Sequence, residues 1–199
     1  MILKICGITN PEDAAAAIAA GATAIGFNFW AQSPRYIDPE RAASIDTPGA
    51  RRVGVFVNES PARVAAIAAL ARLDVAQLHG DEQAADYPEN MAVWKAARVD
   101  QHFEFSAYAN CPVEALLLDG PAGELYGGSG KTFDWSRTAA IHQRIILAGG
   151  LDATNVAIAI KVVRPWGVDA CSRIESAPGK KDLRKMSEFL EAAKAALRQ

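Results

Sequence analysis

Short apolar runs alternate with longer stretches of helical character along the whole chain. Eight of these runs are predicted to be strands, at residues 2–6, 24–28, 52–57, 75–79, 92–96, 115–119, 144–147 and 167–171. Runs that are almost wholly apolar suit parallel strands, because such strands are buried on both faces. The repeated order of strand and helix therefore predicts an α/β fold built on a parallel sheet.

The ends of the predicted helices carry residues that cap or stop a helix. Three helices are predicted to begin where a polar residue precedes proline, at Asn10-Pro11, Asp38-Pro39 and Ser60-Pro61. The polar side chain accepts from unpaired helix amides, and proline at the first helical position gives up an amide that has no partner there. Gly21 is predicted to end the helix over 11–20. Asp152 and Asp182 are predicted to cap two further helices, which end at Val163 and Leu197.

The length of the chain decides between two arrangements of such a sheet. Eight strands can close into a (β/α)8 barrel, whereas fewer strands would leave an open, doubly wound sheet. The 199 residues divide into eight units of about 25, and a strand, a helix and two short loops need roughly 20–25. No change of composition marks a second domain. We therefore predict a single (β/α)8 TIM barrel with a parallel eight-stranded core, spanning residues 1–199.

Composition narrows the class of protein. Half of the residues are hydrophobic and 22% are charged, which suits a folded core. The net charge of −2 argues against electrostatic binding of nucleic acid or an anionic membrane. No apolar run reaches the ~18–20 residues that span a bilayer, and the N-terminus lacks a signal-peptide pattern. Cys6, Cys111 and Cys171 have no metal-ligand spacing. We expect a cytoplasmic enzyme with reduced thiols.

Polar side chains interrupt several of the buried strands. In the first strand Lys4 and Cys6 share one face, which is predicted to point into the barrel because the other face is apolar. The same reasoning places Gln77 and His79 together on an inward face. It also turns Lys95 inward, opposite Trp94 and Ala96, and leaves Asp119 at the end of a leucine run. Several of these groups fall at the carboxyl ends of strands, where barrel enzymes build their active sites.

Each of these residues also has a purely structural interpretation. Cys6 could serve as a small apolar core residue, and Asp119 could cap a turn. A buried Lys4 could pair with a carboxylate, and Gln77 and His79 could bond loop backbone. Their coincidence on one rim of the predicted barrel favours a functional site.

Glycine-rich turns form the second signal. Gly149 and Gly150 follow the seventh strand, and Cys171 and Ser172 end the eighth. In barrels these two turns commonly bind phosphate through backbone amides. Residues 127–132 (GGSGKT) look like the end of an ATP-binding P-loop, but the position that needs its first glycine holds Leu125. We therefore interpret this segment as a flexible active-site loop.

Eight short motifs together resemble the phosphoribosylanthranilate isomerase family of tryptophan biosynthesis. They run in family order and cover nearly the whole chain: KICGIT (4–9), SPRYI (33–37), VGVFVN (53–58), QLHG (77–80), LLD (117–119), GGSGKTFDW (127–135), AGGL (148–151) and PGKKD (178–182).

The resemblance implies a reaction and a set of residue roles. The reaction is an Amadori rearrangement, in which N-(5-phosphoribosyl)anthranilate becomes 1-(o-carboxyphenylamino)-1-deoxyribulose 5-phosphate, without cofactor or metal. Asp119 is implied as the general acid and Cys6 as the general base, with Lys4 as a candidate for lowering the pKa of that thiol. Arg35 is implied to bind the anthranilate carboxylate, with its fork on both oxygens.

The remaining site residues follow from the same resemblance and from the barrel pattern. Gln77 and His79 are expected to bind substrate, and phosphate is expected at the following five residues: Gly128, Gly149, Gly150, Cys171 and Ser172. The expected partner is a small phosphorylated substrate, with no nucleic acid and no membrane, and the chain is expected to be a monomer or homodimer.

One motif departs from the family pattern, and two other functions remain open. After the eighth strand the family reads Ser-Ser-Gly, where this chain has Cys171, Ser172 and Arg173. Either that turn tolerates a side chain, or Arg173 adds a charge near the phosphate. A histidine-pathway isomerase would use paired aspartates, whereas this chain offers Cys6 at the first strand's end. A barrel that only binds phosphorylated ligands would not need Cys6, Asp119 and Arg35 together.

Overall fold

Eight parallel strands close into a barrel in which each strand pairs with its neighbours in chain order. The computed structural model describes residues 1–100, 103–108, 110–120, 132–135, 138, 141 and 143–198. The barrel strands are β1 (Ile2–Cys6), β2 (Ala24–Asn28), β3 (Arg51–Phe56), β4 (Val75–Leu78), β5 (Ala92–Arg98), β6 (Ala115–Asp119), β7 (Ile145–Leu147) and β8 (Gly167–Ala170). The predicted fold class is therefore confirmed, with strand ends shifted by one or two residues.

A short antiparallel hairpin follows the barrel and was not predicted from the sequence. Its strands are β9 (Glu175–Ala177) and β10 (Lys180–Lys181), and Gly179 turns the chain between them with φ +78°. The hairpin lies in the connection between β8 and the last helix, so it extends the carboxyl end of the barrel next to β1.

The described residues form five α-helices: α1 (Pro11–Ala19), α2 (Pro39–Ala43), α3 (Pro61–Ala71), α4 (Val156–Val163) and α5 (Leu183–Ala196). The four predicted caps at Asn10, Asp38, Ser60 and Asp182 are confirmed, because each side chain accepts from a first-turn amide. After β4 and β5 the described residues form 3-10 turns, at Ala84–Asp86 and Phe105–Tyr108. No helix in the described part of the chain is long and apolar enough to cross a membrane.

The predicted cap at Asp152 is wrong. Helix α4 begins at Val156 after Asn155, and its N-terminus has no side-chain cap among the described residues. The Asp152 carboxylate instead accepts from the amide and hydroxyl of Thr154 in the turn before the helix, and it pairs with Arg173. Asp152 therefore orders the turn between the β7 strand and α4, and does not cap the helix itself.

Apolar side chains pack in two layers, one inside the barrel and one between the strands and helices. The inner layer contains Val53, Val75, Trp94, Leu117 and Ile146, all fully buried. The outer layer joins residues such as Ile5 and Phe27 to the helices. Because the inner layer fills the amino-terminal half of the barrel, the open space inside the described part of the barrel lies towards the carboxyl ends of the strands.

The prediction that Lys95 points inward is wrong. Trp94 and Ala96 belong to the inner layer, so alternation along β5 turns Lys95 to the outside. There its Nζ lies 3.0 Å from Glu82 Oε2 and donates to the carbonyl of Gly80. The ring of Trp94 therefore fills the barrel interior. The buried ion pair of Lys95 and Glu82 lies outside the barrel, next to the 3-10 turn that follows β4.

Candidate active site

One cavity opens at the carboxyl ends of the strands and gathers most of the predicted site residues. Its walls include six of them: Cys6, Arg35, Gln77, His79, Asp119 and Cys171. An adjoining depression contains three more, Gly149, Gly150 and Ser172, and shares Asp119 and Cys171 with the cavity. Gly128 lies outside the described residues. The barrel therefore brings together residues that are up to 166 positions apart, since 172 minus 6 is 166.

Cys6 lies at the end of β1 and is buried against the neighbouring strand. Gly26 makes room for it, because a Cβ atom there would fall 2.8 Å from the Cys6 Sγ. A hydrogen bond with the Cys171 thiol holds the pKa of Cys6 well below its usual value. Burial opposes this change, and the positive charges of Lys4 and Lys181 add to it. The surroundings of Cys6 therefore favour a thiolate.

Lys4 is fully buried on the inward face of β1, as predicted, and its Nζ lies 2.9 Å from Asp169 Oδ2. Burial alone would lower the pKa of Lys4, but Asp169 and Cys6 outweigh it, so the pKa is raised and the lysine stays charged. The structural interpretation of Lys4 as a partner of a carboxylate is thus also correct.

Asp169 is a cavity residue that sequence reasoning missed. It lies on the inward face of β8 and lines both the cavity and the depression. Burial raises its pKa to about 7 despite the charge of Lys4. Its Oδ1 atom has no hydrogen-bond partner among the described residues. One feature of the sequence could have identified it: Asp169 lies two residues before Cys171, which is the spacing of Lys4 and Cys6 on the first strand.

Asp119 lies at the end of β6, and burial raises its pKa to about 6 although the Gly120 amide bonds the carboxylate. His79 Nε2 lies 3.6 Å from Asp119 Oδ2. Burial and the charges of Lys4, Lys95 and Arg98 lower the pKa of His79 to about 3, so this imidazole is neutral near pH 7. Gln77 Nε2 lies 3.2 Å from His79 Nδ1 and fixes the ring.

Arg35 enters the cavity from the loop between β2 and α2, where its side chain is held by Glu175 of β9. Arg35 Nε lies 2.9 Å from Oε1 of Glu175, and Arg35 Nη2 lies 2.7 Å from Oε2. Lys181 Nζ lies 2.9 Å from the same carboxylate. Burial would raise the pKa of Glu175, but the hydrogen bond from Arg35 and the charge of Lys181 outweigh it and hold that pKa below its usual value. Gly7, with φ +72°, allows this approach because a Cβ there would fall 2.8 Å from Arg35 Cδ.

The depression beside the cavity is formed by the two turns that were predicted to bind phosphate. Gly149 and Gly150 have φ of +82° and +64°. Ser172–Ile174 forms a 3-10 turn in which Arg173 does not have a positive φ, so this turn tolerates a side chain. Arg173 Nη1 lies 3.0 Å from Asp152 Oδ2 and lines the depression.

A Gly149→Ala variant is expected to lose at least about tenfold in kcat/KM, an effect of ~1.4 kcal/mol. The added Cβ would lie 2.9 Å from Asp119 Oδ1 and press on the Gly120 amide, so it would move the carboxyl group. Steady-state kinetics with a matched Gly49→Ala variant provide the control, because Gly49 has φ +74° but open space around it. Equal losses of kcat/KM in the two variants would show that backbone strain, and not displacement of the Asp119 carboxyl group, causes the effect.

Comparison with known proteins agrees with this geometry. The family model described as N-(5'phosphoribosyl)anthranilate (PRA) isomerase matches residues 3–192. An N-(5'-phosphoribosyl)anthranilate isomerase from Solibacter usitatus is 69% identical over 197 residues, which is 99% of each chain.

Two solved structures are similar over almost the whole chain. The phosphoribosyl anthranilate isomerase of Thermotoga maritima has 42% identity and a TM-score of 0.90, covering 98% of this chain and 100% of that one. A phosphoribosyl anthranilate isomerase in complex with reduced 1-(o-carboxyphenylamino)-1-deoxyribulose 5-phosphate has 38% identity and a TM-score of 0.86, with the same coverage. The chain therefore belongs to the N-(5'-phosphoribosyl)anthranilate isomerase family, whose members act in tryptophan biosynthesis.

Proposed function

We propose that the cavity carries out the Amadori rearrangement of N-(5-phosphoribosyl)anthranilate with Asp119 as general acid and Cys6 as general base. One observation supports this assignment above the others. The two groups face one cavity from β6 and β1, and their surroundings change their pKa values in opposite directions. The pKa of Asp119 is raised to about 6 and that of Cys6 is lowered, as an acid and a base working near neutral pH require.

Ring opening is the step assigned to Asp119. Its carboxyl group donates a proton to the furanose ring oxygen while the C1–O bond breaks, and the anilino nitrogen shares its electron pair with C1 to form a Schiff base. The neutral His79, 3.6 Å away, contributes no positive charge that would hold Asp119 ionised. The carboxylate that remains after the transfer has the Gly120 amide as a hydrogen-bond donor.

Proton removal from C2 is the step assigned to Cys6. The Schiff base acidifies this proton, and the thiolate removes it while the C2–H electrons form the double bond of an enolamine. The enolamine gains a proton at C1 and loses one from the C2 hydroxyl, which leaves the aminoketose. No atom is gained or lost overall, so the reaction needs no external oxidant or reductant.

The remaining residues are proposed to bind the two ends of the substrate. Arg35 uses Nε and one N–H of Nη2 for Glu175, so Nη1 and the second N–H of Nη2 form the edge of the fork that is left for the anthranilate carboxylate. Gln77 and His79 would contact the substrate between its ends. The phosphate would lie in the depression, against the amides of the turns that contain Gly149, Gly150, Cys171 and Ser172. The role of Gly128 stays a prediction.

A Lys4→Met variant is expected to raise the pKa of Cys6 by about one unit or more, because it removes a nearby positive charge. The pH dependence of Cys6 alkylation by iodoacetamide, followed by peptide mass spectrometry and compared with the pH profile of kcat/KM, measures this change. Lys95→Met is the matched control, since it removes a buried lysine from the outer face of the barrel. If the midpoint of Cys6 alkylation against pH were the same in Lys4→Met as in the native chain, Lys4 would not be the residue that lowers the pKa of Cys6.

The direct test is the loss of fluorescence of N-(5-phosphoribosyl)anthranilate in the presence of the purified protein. We expect turnover of this substrate and none of the corresponding aminoaldose of the histidine pathway, because an isomerase for that substrate would use an aspartate at the end of the first strand, where this chain has Cys6. Saturable binding without turnover would instead favour a barrel that only holds phosphorylated ligands. Comparable turnover of both aminoaldoses would favour an isomerase with two substrates.

A further inference from the structure

Two cysteines from neighbouring strands meet at the wall of the cavity. Strands β1 and β8 pair in parallel up to Ile5 and Ala170, and the next positions are Cys6, the last residue of β1, and Cys171, which directly follows β8. Neighbouring strands lie about 4.8 Å apart, and a disulfide needs Cα atoms about 4.4–6.8 Å apart. The backbone therefore brings the two cysteines within the range of a disulfide bond.

The two thiols also lie near each other in a positively charged environment. A Cβ atom on Gly7, the residue after Cys6, would fall 3.1 Å from the Cys171 Sγ, and Lys181 Nζ lies 3.9 Å from the same sulfur. Cys171 follows the last residue of β8 with φ −138° and ψ −89°, so its backbone has left the regular strand. Its side chain is therefore not held in the perpendicular direction that a paired strand residue would have.

Both sulfur atoms can be reached by a small molecule, because both residues line the cavity that would hold the substrate. The thiolate is the form of cysteine that reacts with peroxides. Cys6 has the charged surroundings that stabilise this form, with Lys4 and Lys181 as the nearby positive charges. Cys171 is the partner thiol positioned to react with the oxidised product.

We propose that Cys6 and Cys171 form a peroxide-sensitive modification site that closes to a reversible disulfide. In the first step the Cys6 thiolate attacks a peroxide oxygen and the O–O bond breaks, which yields a sulfenic acid at Cys6 and a hydroxide ion that takes up a proton from solvent to become water. In the second step the Cys171 sulfur attacks the Cys6 sulfur and displaces a second water. The two thiols lose two electrons to the peroxide, and a dithiol reductant reverses the change.

The disulfide would remove the Cys6 thiolate that is proposed to act as general base. It would also alter the turn containing Cys171 that is proposed to bind phosphate. Its formation depends on the placement and reactivity of the two thiols and not on the proposed function. The expected loss of isomerase activity rests in addition on the proposed function of Cys6. Product bound in the cavity should slow the oxidation, since it would cover both sulfur atoms.

The test treats the reduced protein with hydrogen peroxide and maps its cysteines by mass spectrometry before and after dithiothreitol. In the native chain we expect a mass loss of about 2 Da, a peptide linking Cys6 to Cys171, and recovery of most activity with dithiothreitol. Cys111→Ser is the matched control and should behave in the same way, because Cys111 lies in the connection between β5 and β6 and bonds Tyr87.

Cys171→Ser separates the disulfide from other oxidation, with its activity expressed relative to its own untreated sample. We expect no linked peptide, progress of Cys6 to the sulfinic acid, and activity that dithiothreitol does not restore. The proposal is overturned if peroxide converts Cys6 of the native chain to the sulfinic acid while Cys171 remains a thiol. A linked peptide in a protein that keeps full activity would establish the modification site and contradict the assignment of Cys6 as base.

Discussion

An Asp119→Asn variant is expected to lose at least ~100-fold in kcat while it keeps the native fold, the low end of what a positioned acid contributes. The asparagine amide has almost the same shape as the carboxyl group but cannot donate a proton to the furanose oxygen. Asp119 is buried at the end of β6, where its pKa is raised to about 6. An unshifted carboxyl group near 3.8 would be almost wholly ionised at neutral pH.

The pH dependence of this variant provides a second readout. The kcat/KM of the native chain should fall as the pH rises through about 6, because Asp119 then loses the proton that it donates. Asp119→Asn should lack this inflection. Circular dichroism and the melting temperature would establish that the fold is retained. Asp119→Glu should lose less activity, because it keeps a proton donor at a shifted position. Near-native turnover of Asp119→Asn would remove this residue from the mechanism.

The barrel and the inward polar residues could be predicted because they depend on local pattern. A strand predicts which residues share a face, so the pair Lys4 and Cys6 and the pair Gln77 and His79 were placed correctly. The same rule failed at Lys95, because Trp94 could fit either face of β5 and the outcome depends on what fills the barrel interior. Local alternation identifies faces but does not decide which face points inward.

The pairing of distant side chains could not be predicted in this way. Glu175, which fixes Arg35 across 140 positions, belongs to a hairpin that comes near Arg35 because β8 returns next to β1. Asp169 was missed because its ion pair with Lys4 requires the same closure of the barrel. The contact of Cys6 with Cys171 has the same origin. Each of these contacts joins the first strand or its neighbourhood to the last.

A Cys6→Ser variant is expected to lose at least ~100-fold in kcat, because a serine hydroxyl stays protonated where the thiol ionises. The sulfur-to-oxygen change is small, so the contact with Gly26 and the fold should be retained. Cys111→Ser is the control for removal of a thiol elsewhere in the chain and should keep near-native kcat. Turnover of Cys6→Ser close to that of the native chain would exclude the thiolate as the base.

The two variants should differ in the step that becomes slow, which loss of activity alone cannot show. In Cys6→Ser the removal of the C2 proton should limit the rate, so substrate that carries deuterium at C2 should show a large primary isotope effect on kcat. In Asp119→Asn ring opening should limit the rate, and the same substrate should show an effect close to one. Because the acid and the base act on different bonds, exchanged or equal isotope effects would contradict the assignment even if both variants were inactive. The opposite pKa changes of Asp119 and Cys6 would then have to serve another chemistry in this cavity.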